Sequence, residues 1–303
     1  MAPAQSKHSG PPAVDGSPED AEATDGGMTP FDDIYDQPDP RAYFRVLGPW
    51  EYRTPHHAQD VFRRVLDACG NATDAPGPPM TVLDICCSYG FNAALLNHHL
   101  TWDDLHDHYT SARAAALTTA ELIDWDREFY AAHRRPDAVP VIGLDAAPRA
   151  IAYARAVGLL DEAFAENLES GPAGPDLCRA VRHTRLITIT GGTSFLSPRT
   201  FRPLLENARG PVWVAAFALR TGSYRPIADC LEEFGLVTEK ATGRTFAQRR
   251  FTGAQEQRYA VEAVTAAGED PRGKESDGYF HTALYLSRSA TDAARVPLSD
   301  LVR

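Results

Sequence analysis

Two aspartates follow apolar runs in positions that could place carboxylates at a ligand site. Asp84 ends the run 81–83, and a turn of small residues closed by Gly90 leads from it into a helical run. This order predicts a strand, a tight turn that cradles a ligand, and a helix. An acid after apolar strand residues is unfavourable unless it is paired, so Asp84 is expected to serve a ligand, the alternative being that it caps the turn. Asp145 ends the next clear strand, 139–144, and receives the same interpretation.

Four histidines and three aspartates lie close together later in the chain, which raises the question of a metal site. They are His98, His99, His106, His108, Asp103, Asp104 and Asp107. Imidazole and carboxylate groups are common metal ligands, but helical geometry spreads these side chains around the helix axis. A solvated polar face is therefore the favoured interpretation, and no metal site is predicted.

The residues before the first strand contain candidate catalytic groups. His56 and His57, together with Tyr52, would approach an acceptor if this segment folded over a bound ligand. The run 248–251 contains two arginines. It would either supply cations to an anionic substrate or form an exposed strand.

The composition limits the partners and the compartment. Of 303 residues, 43% are hydrophobic, and 41 acidic against 30 basic residues give a net charge of −11. A surface that binds nucleic acid is positively charged, and the overall negative charge of this protein opposes it. No nucleic-acid partner is therefore expected. No apolar run reaches the ~18–20 residues that span a bilayer, and the N-terminus lacks an apolar signal core, so we expect a cytoplasmic protein without membrane contact.

Five cysteines without C-x-x-C spacing argue against a disulfide framework and a zinc ribbon. Cys86 and Cys87 have no evident basic neighbour that would activate a thiol.

The chain divides into a tail, a cap and one domain. Residues 1–28 are rich in Pro, Gly, Ala and acidic residues and are predicted to be a disordered tail. Residues 29–79 are predicted to be an N-terminal cap, with aromatic residues followed by a helix at 58–68. Residues 80–303 are predicted to be one domain, interrupted at about 101–138 by a helical insertion with apolar residues every three or four positions. The insertion would act as a lid or pack on the edge of the sheet.

Alternating strands and helices continue to the C-terminus. Strands are predicted at 164–168, 186–190, 212–219, 236–242 and 279–286, with a further strand or loop at 245–251. Helices are predicted from Pro148, at 197–205, at 227–234 and at 253–267. The fold class is therefore predicted to be α/β: a doubly wound, mostly parallel, seven-stranded Rossmann-like sheet with an antiparallel terminal strand, plus the helical cap and insertion.

Residues 80–286, apart from the insertion, resemble the class I S-adenosylmethionine-dependent methyltransferases. In that family the first strand ends in an acidic residue, and a D/E-x-G-x-G-x-G turn wraps the methionine part of the cofactor. Here the turn reads Asp84-Ile85-Cys86-Cys87-Ser88-Tyr89-Gly90, so Cys86 and Ser88 replace the first two glycines. Both replacements are small, so the backbone can still approach a ligand closely, although each adds a side chain where the family has none.

The resemblance implies S-adenosyl-L-methionine as the cofactor and assigns positions around it. The positions implied to bind the cofactor are Asp84, Cys86, Ser88, Gly90, Asn92, Asp145, Ala146, Glu166, Asn167, Leu168, Thr190 and Gly191. Asp145 matches the acid that binds the ribose hydroxyls, and 166–168 matches the region that meets the adenine amine. Thr190 and Gly191 match the end of the fourth strand, which opens toward the methyl group and its acceptor.

The implied activity is methyl transfer to an O or N atom of a small organic molecule by in-line displacement in a closed pocket. The cofactor carries the reactive group, and the protein supplies positioning and exclusion of water. A general base is needed only for a protonated acceptor; His56, His57 and Tyr52 are the candidate catalytic residues. Two alternatives stay open: a degenerate cofactor-binding protein without methyl transfer, and a nicotinamide-dependent oxidoreductase, whose G-x-G-x-x-G turn the sequence does not supply. A small-molecule substrate and a homodimer are the expected partners.

Overall fold

The computed structural model describes residues 27–72 and 80–302 of the chain. The predicted tail lies outside the described residues except for its last two positions. Most of the predicted loop between the cap and the first strand, 73–79, also lies outside them. The described residues form eight strands and thirteen α-helices, which alternate along much of the chain.

All eight strands belong to one sheet. They are β1 (Thr81–Ile85), β2 (Val141–Asp145), β3 (Glu162–Ala165), β4 (Thr184–Ile189), β5 (Trp213–Leu219), β6 (Leu236–Lys240), β7 (Phe246–Arg250) and β8 (Tyr279–Ser289). Their order is β3-β2-β1-β4-β5-β8-β6, and β7 pairs with β8. Neighbours among β1 to β5 are parallel. The terminal strand β8 runs antiparallel between β5 and β6. The predicted doubly wound, mostly parallel α/β sheet with an antiparallel terminal strand is confirmed.

The sheet contains one strand more than the predicted seven. β7 and β5 both pair with Thr282, so they must lie on opposite sides of β8. β6 also lies on the side away from β5, and β6 and β7 therefore follow one another along the outer edge of β8. The segment predicted as a strand or a loop at 245–251 is a strand because it completes this edge.

Helices cover both faces of the sheet, as buried parallel strands require. They are α1 (Arg41–Leu47), α2 (Thr54–Asn71), α3 (Phe91–Asn97), α4 (Trp102–Thr110), α5 (Ala112–Ala116), α6 (Thr119–His133), α7 (Pro148–Ala156), α8 (Pro175–Ala180), α9 (Pro198–Asn207), α10 (Arg225–Glu233), α11 (Ala254–Ala266), α12 (Ala290–Arg295) and α13 (Leu298–Leu301). Apolar side chains of α2, α3, α7 and α13 pack on one face, and those of α8, α9 and α10 pack on the other. Within the described ranges, none of these helices is both long and apolar enough to cross a membrane.

The helix of the predicted N-terminal cap is part of the layer that covers the sheet. α2 carries Pro55 in its first turn, where a missing N–H is harmless. Its buried face includes Val61, Phe62 and Val65, and the Phe62 ring lies 5.6 Å from the ring of Phe217 in β5. Because α2 is anchored on the sheet, the residues just before it are held at a fixed place beside the strands.

The helical insertion is packed into the fold through a buried carboxylate. α4 and α6 each begin with a capping box, in which Thr101 and Thr118 accept from the third residue of the helix. Asp126 of α6 is fully buried and accepts hydrogen bonds from the hydroxyls of Tyr109 and Tyr153. Since Tyr153 belongs to α7, this carboxylate ties the insertion to the βα framework.

Candidate functional site

β1 lies where the strand order reverses. From β1 the chain proceeds through β2 to β3 on one side, then crosses to β4 and β5 on the other. Loops at the carboxyl ends of the strands diverge at such a reversal and leave a crevice, which is where open α/β sheets bind ligands. Asp84, Asp145 and Thr190 all lie at this end of the sheet, at or beside the ends of β1, β2 and β4.

The turn after β1 has left-handed backbone at alternate residues. Cys86, Ser88 and Gly90 have φ angles of 55°, 49° and 81°. A left-handed conformation disfavours a residue with a Cβ by roughly 1–2 kcal/mol, so Cys86 and Ser88 are held in a conformation that suits glycine. These three positions are the ones that carry glycine in the turn of the family named above. The turn therefore keeps the backbone shape expected of that motif although two of its glycines are replaced.

Asp145 braces the turn from the neighbouring strand. Its Oδ2 accepts from the backbone N–H of Ser88 at 2.8 Å, and its Oδ1 accepts from the N–H of Ala147 at 3.0 Å. Burial raises the pKa of Asp145, while these backbone donors act to lower it. Each carboxylate oxygen has a second lone pair, so the group can still accept from a ligand hydroxyl.

Asp84 lies inside β1 and is buried, with an exposed fraction of 1%. Its Oδ1 accepts from Asn92 Nδ2 at 2.9 Å and from Thr188 Oγ1 at 2.8 Å. Its Oδ2 is buried and has no hydrogen-bond partner among the described residues, and the same is true of Ser88 Oγ. Burial raises the pKa of Asp84 to about 7, and the nearby charge of Asp145 contributes to the increase.

The carboxyl groups of Asp84 and Asp145 both lack a cationic partner within the described residues. Within the described parts of the chain, Asp84 and Asp145 accept hydrogen bonds from neutral donors, and neither forms an ion pair. A buried carboxylate without a cation is unstable in its charged form. A positively charged ligand would therefore be stabilised here, whereas an anionic one would be repelled.

The end of β4 faces the same turn. Thr190 is buried, and its Oγ1 lies 3.0 Å from Asn92 Nδ2, so it belongs to the Asp84 network. Cys86 Sγ occupies the space beside Gly192, where an added Cβ would lie 2.6 Å from the sulfur. Phe195 follows in a short 3-10 helix and is 75% exposed. An exposed ring of this size next to the strand ends can contact a bound molecule.

Tyr52 reaches the strand ends from the N-terminal side. An added Cβ on Gly191 would lie 3.3 Å from the Tyr52 hydroxyl. Burial raises the pKa of Tyr52 to about 12. The phenol is therefore neutral near pH 7, so it can donate a hydrogen bond but is a weak general base.

A segment that the sequence did not single out lies across the turn. The Tyr89 hydroxyl accepts from Gln37 N at 2.9 Å and lies 3.1 Å from the carbonyl oxygen of Ile34. Asp36 Oδ1 accepts from the N–H of Arg149 at the start of α7. The sequence signal for this segment was its acidic and aromatic composition. That signal could not predict where the segment lies, because its contacts join residues more than fifty positions apart.

The other predicted cofactor residues have local roles in the structure. Glu166 Oε2 accepts from Gly174 N, and Asn167 Oδ1 accepts from Glu169 N. Leu168 is buried in the core, and Ala146 is exposed next to Asp145. β3 ends at Ala165, so residues 166–168 lie in the loop after the strand and not within it as predicted.

The predicted catalytic histidines are not brought to the strand ends by any contact among the described residues. His56 and His57 lie on the first turn of α2 and line a groove that contains none of the turn residues 86–90. The His57 ring packs 5.8 Å from the ring of Phe246 in β7. Tyr52 is not among the residues that line this groove, and the catalytic role of the two histidines stays a prediction.

The histidine-rich region does not form the solvated face predicted for it. His98 and His108 are buried, with exposed fractions of 2% and 8%. The His108 ring is stacked between Trp125 and Phe129 at 3.9 and 4.0 Å, and its Nε2 lies 2.7 Å from Asp126 Oδ1. The prediction was wrong for these two because side chains of α6 cover both: the Tyr130 ring lies 5.4 Å from the His98 ring, and Trp125 and Phe129 enclose His108. No set of three or more His, Cys, Asp or Glu side chains is arranged to hold a metal ion in the described ranges.

The fold and the turn together define the structural class. A parallel β3-β2-β1-β4-β5 arrangement, an antiparallel terminal strand beside β5, and left-handed residues at alternate positions after β1 make up the Rossmann-like architecture of class I methyltransferases. The resemblance predicted from the sequence is thus confirmed at the level of the fold.

Comparison with known proteins adds similarities of fold only. No protein-family model matches the sequence, and comparison with curated proteins finds no match. Magnesium protoporphyrin IX methyltransferase from Synechocystis PCC 6803, solved with bound SAM, is 13% identical over 78% of this chain and 81% of that chain, with a TM-score of 0.37. The plantazolicin methyltransferase BpumL in complex with SAH is 10% identical over 84% and 92% of the two chains, with a TM-score of 0.40. Precorrin 8w decarboxylase from Methanobacterium thermoautotrophicum is 14% identical over 75% and 88%, with a TM-score of 0.33. Similarities of this size assign no activity to the chain.

Proposed function

We propose that this protein binds S-adenosyl-L-methionine at the carboxyl ends of β1, β2 and β4 and transfers its methyl group to a small organic molecule. The observation that carries the proposal is the turn Cys86–Gly90, with its three left-handed residues beside two acids that lack a cationic partner. S-adenosyl-L-methionine carries positive charge on its sulfonium and its α-amino group. The unpaired carboxyl groups match that charge.

The residues of the chain would bind and orient the cofactor, which itself supplies the activated methyl group. Asp84 Oδ2 and Ser88 Oγ, both buried and without partners, are the polar atoms available to its methionine part. Asp145 holds the turn in shape through Ser88 N and keeps lone pairs for the ribose hydroxyls. Residues 31–37, pinned by Tyr89, would limit the access of water to this end of the sheet.

The acceptor is proposed to bind on the side of Gly191, Gly192 and Phe195. Tyr52 and Cys86 border this region, and the neutral Tyr52 hydroxyl would orient an acceptor oxygen or nitrogen. No strong general base lies beside these residues in the structure described, which suits an acceptor that needs little deprotonation before in-line attack. A homodimer and a cytoplasmic location stay predictions.

A nicotinamide dinucleotide is a poorer match to the same charges. Its pyrophosphate is anionic and would approach Asp84 and Asp145 at the turn, where no basic side chain among the described residues offsets them. A cofactor-binding protein without methyl transfer has the same site requirements as the proposal, so only an activity measurement separates the two.

Isothermal titration calorimetry with S-adenosylmethionine, S-adenosylhomocysteine and NADH tests the proposed ligand. The purified chain is expected to bind both sulfur ligands and not NADH. Asp84→Asn keeps an oxygen to accept from Asn92 and Thr188 but removes the charge, so it should weaken S-adenosylmethionine binding by about tenfold or more. The exposed Asp103→Asn is the matched control and should bind as the wild type does.

The result against the proposal is a chain that binds neither sulfur ligand, or an Asp84→Asn variant that binds with unchanged affinity. Methyl transfer is then assayed by the release of S-adenosylhomocysteine in the presence of small hydroxyl, amine and carboxylate acceptors. Binding without turnover on a broad acceptor panel would favour the cofactor-binding protein that lacks transferase activity.

A further inference from the structure

A groove on the outer side of α2 is lined by an excess of positive charge. It has a volume of about 490 Å³ and lies between the first half of α2, the loop after α3, the segment before β2 and the connection between β6 and β7. Its cationic side chains are those of Arg63, Arg64, Arg135 and Arg244. We call it the basic groove. Cavities of this size accommodate small molecules.

The cations of the basic groove form no ion pairs with the described residues. Asp60 is the one acid among the residues that line it, and no carboxylate of the described residues forms an ion pair with any of its four arginines. The protein carries a net charge of −11, so acidic side chains are plentiful elsewhere. Burial lowers the pKa of Arg63 and the nearby charge of Arg135 lowers it further, whereas the charges of Asp60, Asp137 and Asp67 act to raise it. The groove therefore concentrates positive potential on an acidic protein.

Three of the four guanidinium groups are held in place by backbone carbonyls, among them that of Arg64, whose Nε donates to the Leu301 carbonyl oxygen at 2.8 Å. Arg63 Nη2 donates to the carbonyl oxygens of Leu95 and His98, and Arg135 Nε donates to the same His98 oxygen at 3.3 Å. Arg63 Nε is buried and has no hydrogen-bond partner in the described structure, and His57 Nε2 is in the same situation. Fixed guanidinium groups lose little entropy on binding, and their planar donors match oxyanions.

We propose that the basic groove is a second binding site, which takes a small oxyanion compound with two or more negative charges. Such charge is found on phosphate esters, pyrophosphate and polycarboxylates, and guanidinium groups bind all of them through paired N–H donors. A single carboxylate would leave most of the four arginines unneutralised. The groove shares none of its lining residues with the turn 86–90 or with Asp145, so the proposal does not depend on the proposed cofactor site. It also gives His57 a role as a ligand-binding residue.

Titration of the 303-residue chain with pyrophosphate and with citrate, each at low ionic strength, tests this inference. Saturable binding of at least one anion is expected, and the comparison between them identifies phosphate or carboxylate as the preferred group. The double variant Arg135→Gln/Arg244→Gln should bind about tenfold more weakly or worse, because each arginine supplies charged hydrogen bonds to the anion. Arg244 is exposed and stacks on Phe246, so its substitution should leave the fold intact.

The matched control removes two arginines elsewhere. Arg182 and Arg258 are exposed and lie outside the groove, so Arg182→Gln/Arg258→Gln changes the net charge equally and should retain the wild-type affinity. The inference is overturned if neither anion binds saturably, or if both double variants lose affinity to the same extent. Equal affinity for chloride and pyrophosphate would also overturn it. S-adenosylmethionine binding, measured on the same variants, should be unchanged.

Discussion

Buried charges are paired at the outer edge of the sheet and unpaired at the carboxyl ends of its central strands. At the outer edge, Arg249 of β7 donates to both carboxylate oxygens of Glu256 at 2.6 and 2.9 Å, and Arg288 Nη2 of β8 donates to Glu239 Oε2 of β6 at 2.8 Å. At the strand ends, Asp84 and Asp145 accept from neutral donors. A buried pair that satisfies itself is a structural feature, whereas unpaired acids predict a ligand of opposite charge.

The two regions also differ in backbone strain. Non-glycine residues with positive φ in the described chain are Glu51, Cys86 and Ser88. Two of the three lie in the turn after β1, and none lies in the strands of the outer edge. Strained backbone persists where the surrounding structure fixes it and often marks a functional site. The unpaired acids and the strained backbone therefore both mark the turn after β1.

Breaking the pair at the outer edge should have the largest effect on stability. Arg249 and Glu256 have exposed fractions of 3% and 1%. Arg249→Met would leave Glu256 buried without its cation, and the free energy of unfolding should fall by about 3–5 kcal/mol. Urea denaturation of the variant and the wild type measures this difference.

Two further variants show whether the loss comes from the uncompensated charge. Arg249→Met/Glu256→Gln should be more stable than Arg249→Met alone, because the amide oxygen introduced at position 256 would still accept from Thr29 N without carrying a charge. Arg250→Gln, at the exposed neighbour of Arg249, should change stability little. Equal losses in Arg249→Met and Arg250→Gln would mean that the buried pair is not the stabilising element.

The packing of the turn can be separated from its backbone strain with a matched pair of glycines. Gly90 and Gly158 both have φ of 81°, but a Cβ on Gly90 would lie 3.2 Å from Ala154 Cβ and 3.3 Å from Leu159 Cβ, whereas a Cβ on Gly158 meets nothing within 4 Å. Gly158→Ala should lose about 1–2 kcal/mol for the left-handed conformation. Gly90→Ala should lose roughly 1–3 kcal/mol more, because α3 and α7 must move apart.

Thermal denaturation of both variants measures the difference. Equal losses would show that Gly90 is required for its φ angle alone and that the turn is not fixed by packing on α7. The contacts of Gly90 also affect how binding data are interpreted. A bulkier residue there should destabilise the fold, so loss of cofactor binding in such a variant would not identify Gly90 as a binding residue.

The unpaired charge of Asp84 should make stability depend on pH. Its folded-state pKa of about 7 lies above the ordinary value of 3.8, so between these values the folded chain holds a proton that the unfolded chain releases. The stabilising contribution is complete below the ordinary pKa and is lost as pH rises through about 7. Between about pH 5 and about pH 8, the wild type should lose roughly 2–3 kcal/mol relative to Asp84→Asn.

Urea denaturation of both proteins at the two pH values provides the measurement, with the exposed Asp103→Asn as control. Parallel pH profiles for the wild type and Asp84→Asn would mean that Asp84 is not destabilised by burial. The contrast between the two regions would then rest on backbone strain alone.

Several features of the site could be predicted from the sequence because they depend on local order. An acid after an apolar run predicted that Asp84 and Asp145 lie near strand ends, and the alternation of strands and helices predicted the sheet. The left-handed conformation of Cys86 and Ser88 could not be predicted from residue type, because residues with a Cβ seldom adopt it. At Ser88 this conformation is supported by Asp145 of a neighbouring strand, whose carboxylate accepts from Ser88 N.

Other features depend on contacts that sequence patterns do not encode. His108 is a polar residue on a helix, and its burial results from stacking between Trp125 and Phe129 of a later helix. The basic groove gathers residues from α2, from the segment before β2 and from the connection between β6 and β7, so no motif could have revealed it. His56 and His57 were singled out as polar residues before the first strand, but their position depends on how α2 packs on the sheet.

The smallest expected effect tests the strain of the turn itself. Ser88 combines a φ of 49° with a buried Oγ that has no partner among the described residues. Ser88→Gly removes about 1–2 kcal/mol of conformational strain and the unsatisfied hydroxyl, while the greater freedom of glycine in the unfolded chain opposes this by roughly 0.5–1 kcal/mol. A net gain of about 1 kcal/mol is expected from these two effects, visible as a higher midpoint in thermal denaturation.

Cys86→Gly is the matched comparison, because Cys86 has a similar φ of 55° but its sulfur packs beside Gly192. Relief of strain and loss of that contact should nearly cancel, so stability should change little. If Ser88→Gly were instead less stable than the wild type, the left-handed turn would be relaxed and Ser88 Oγ would have a structural role. The turn would then differ from the outer edge of the sheet only in its unpaired acids, and the proposed ligand site would depend on charge alone.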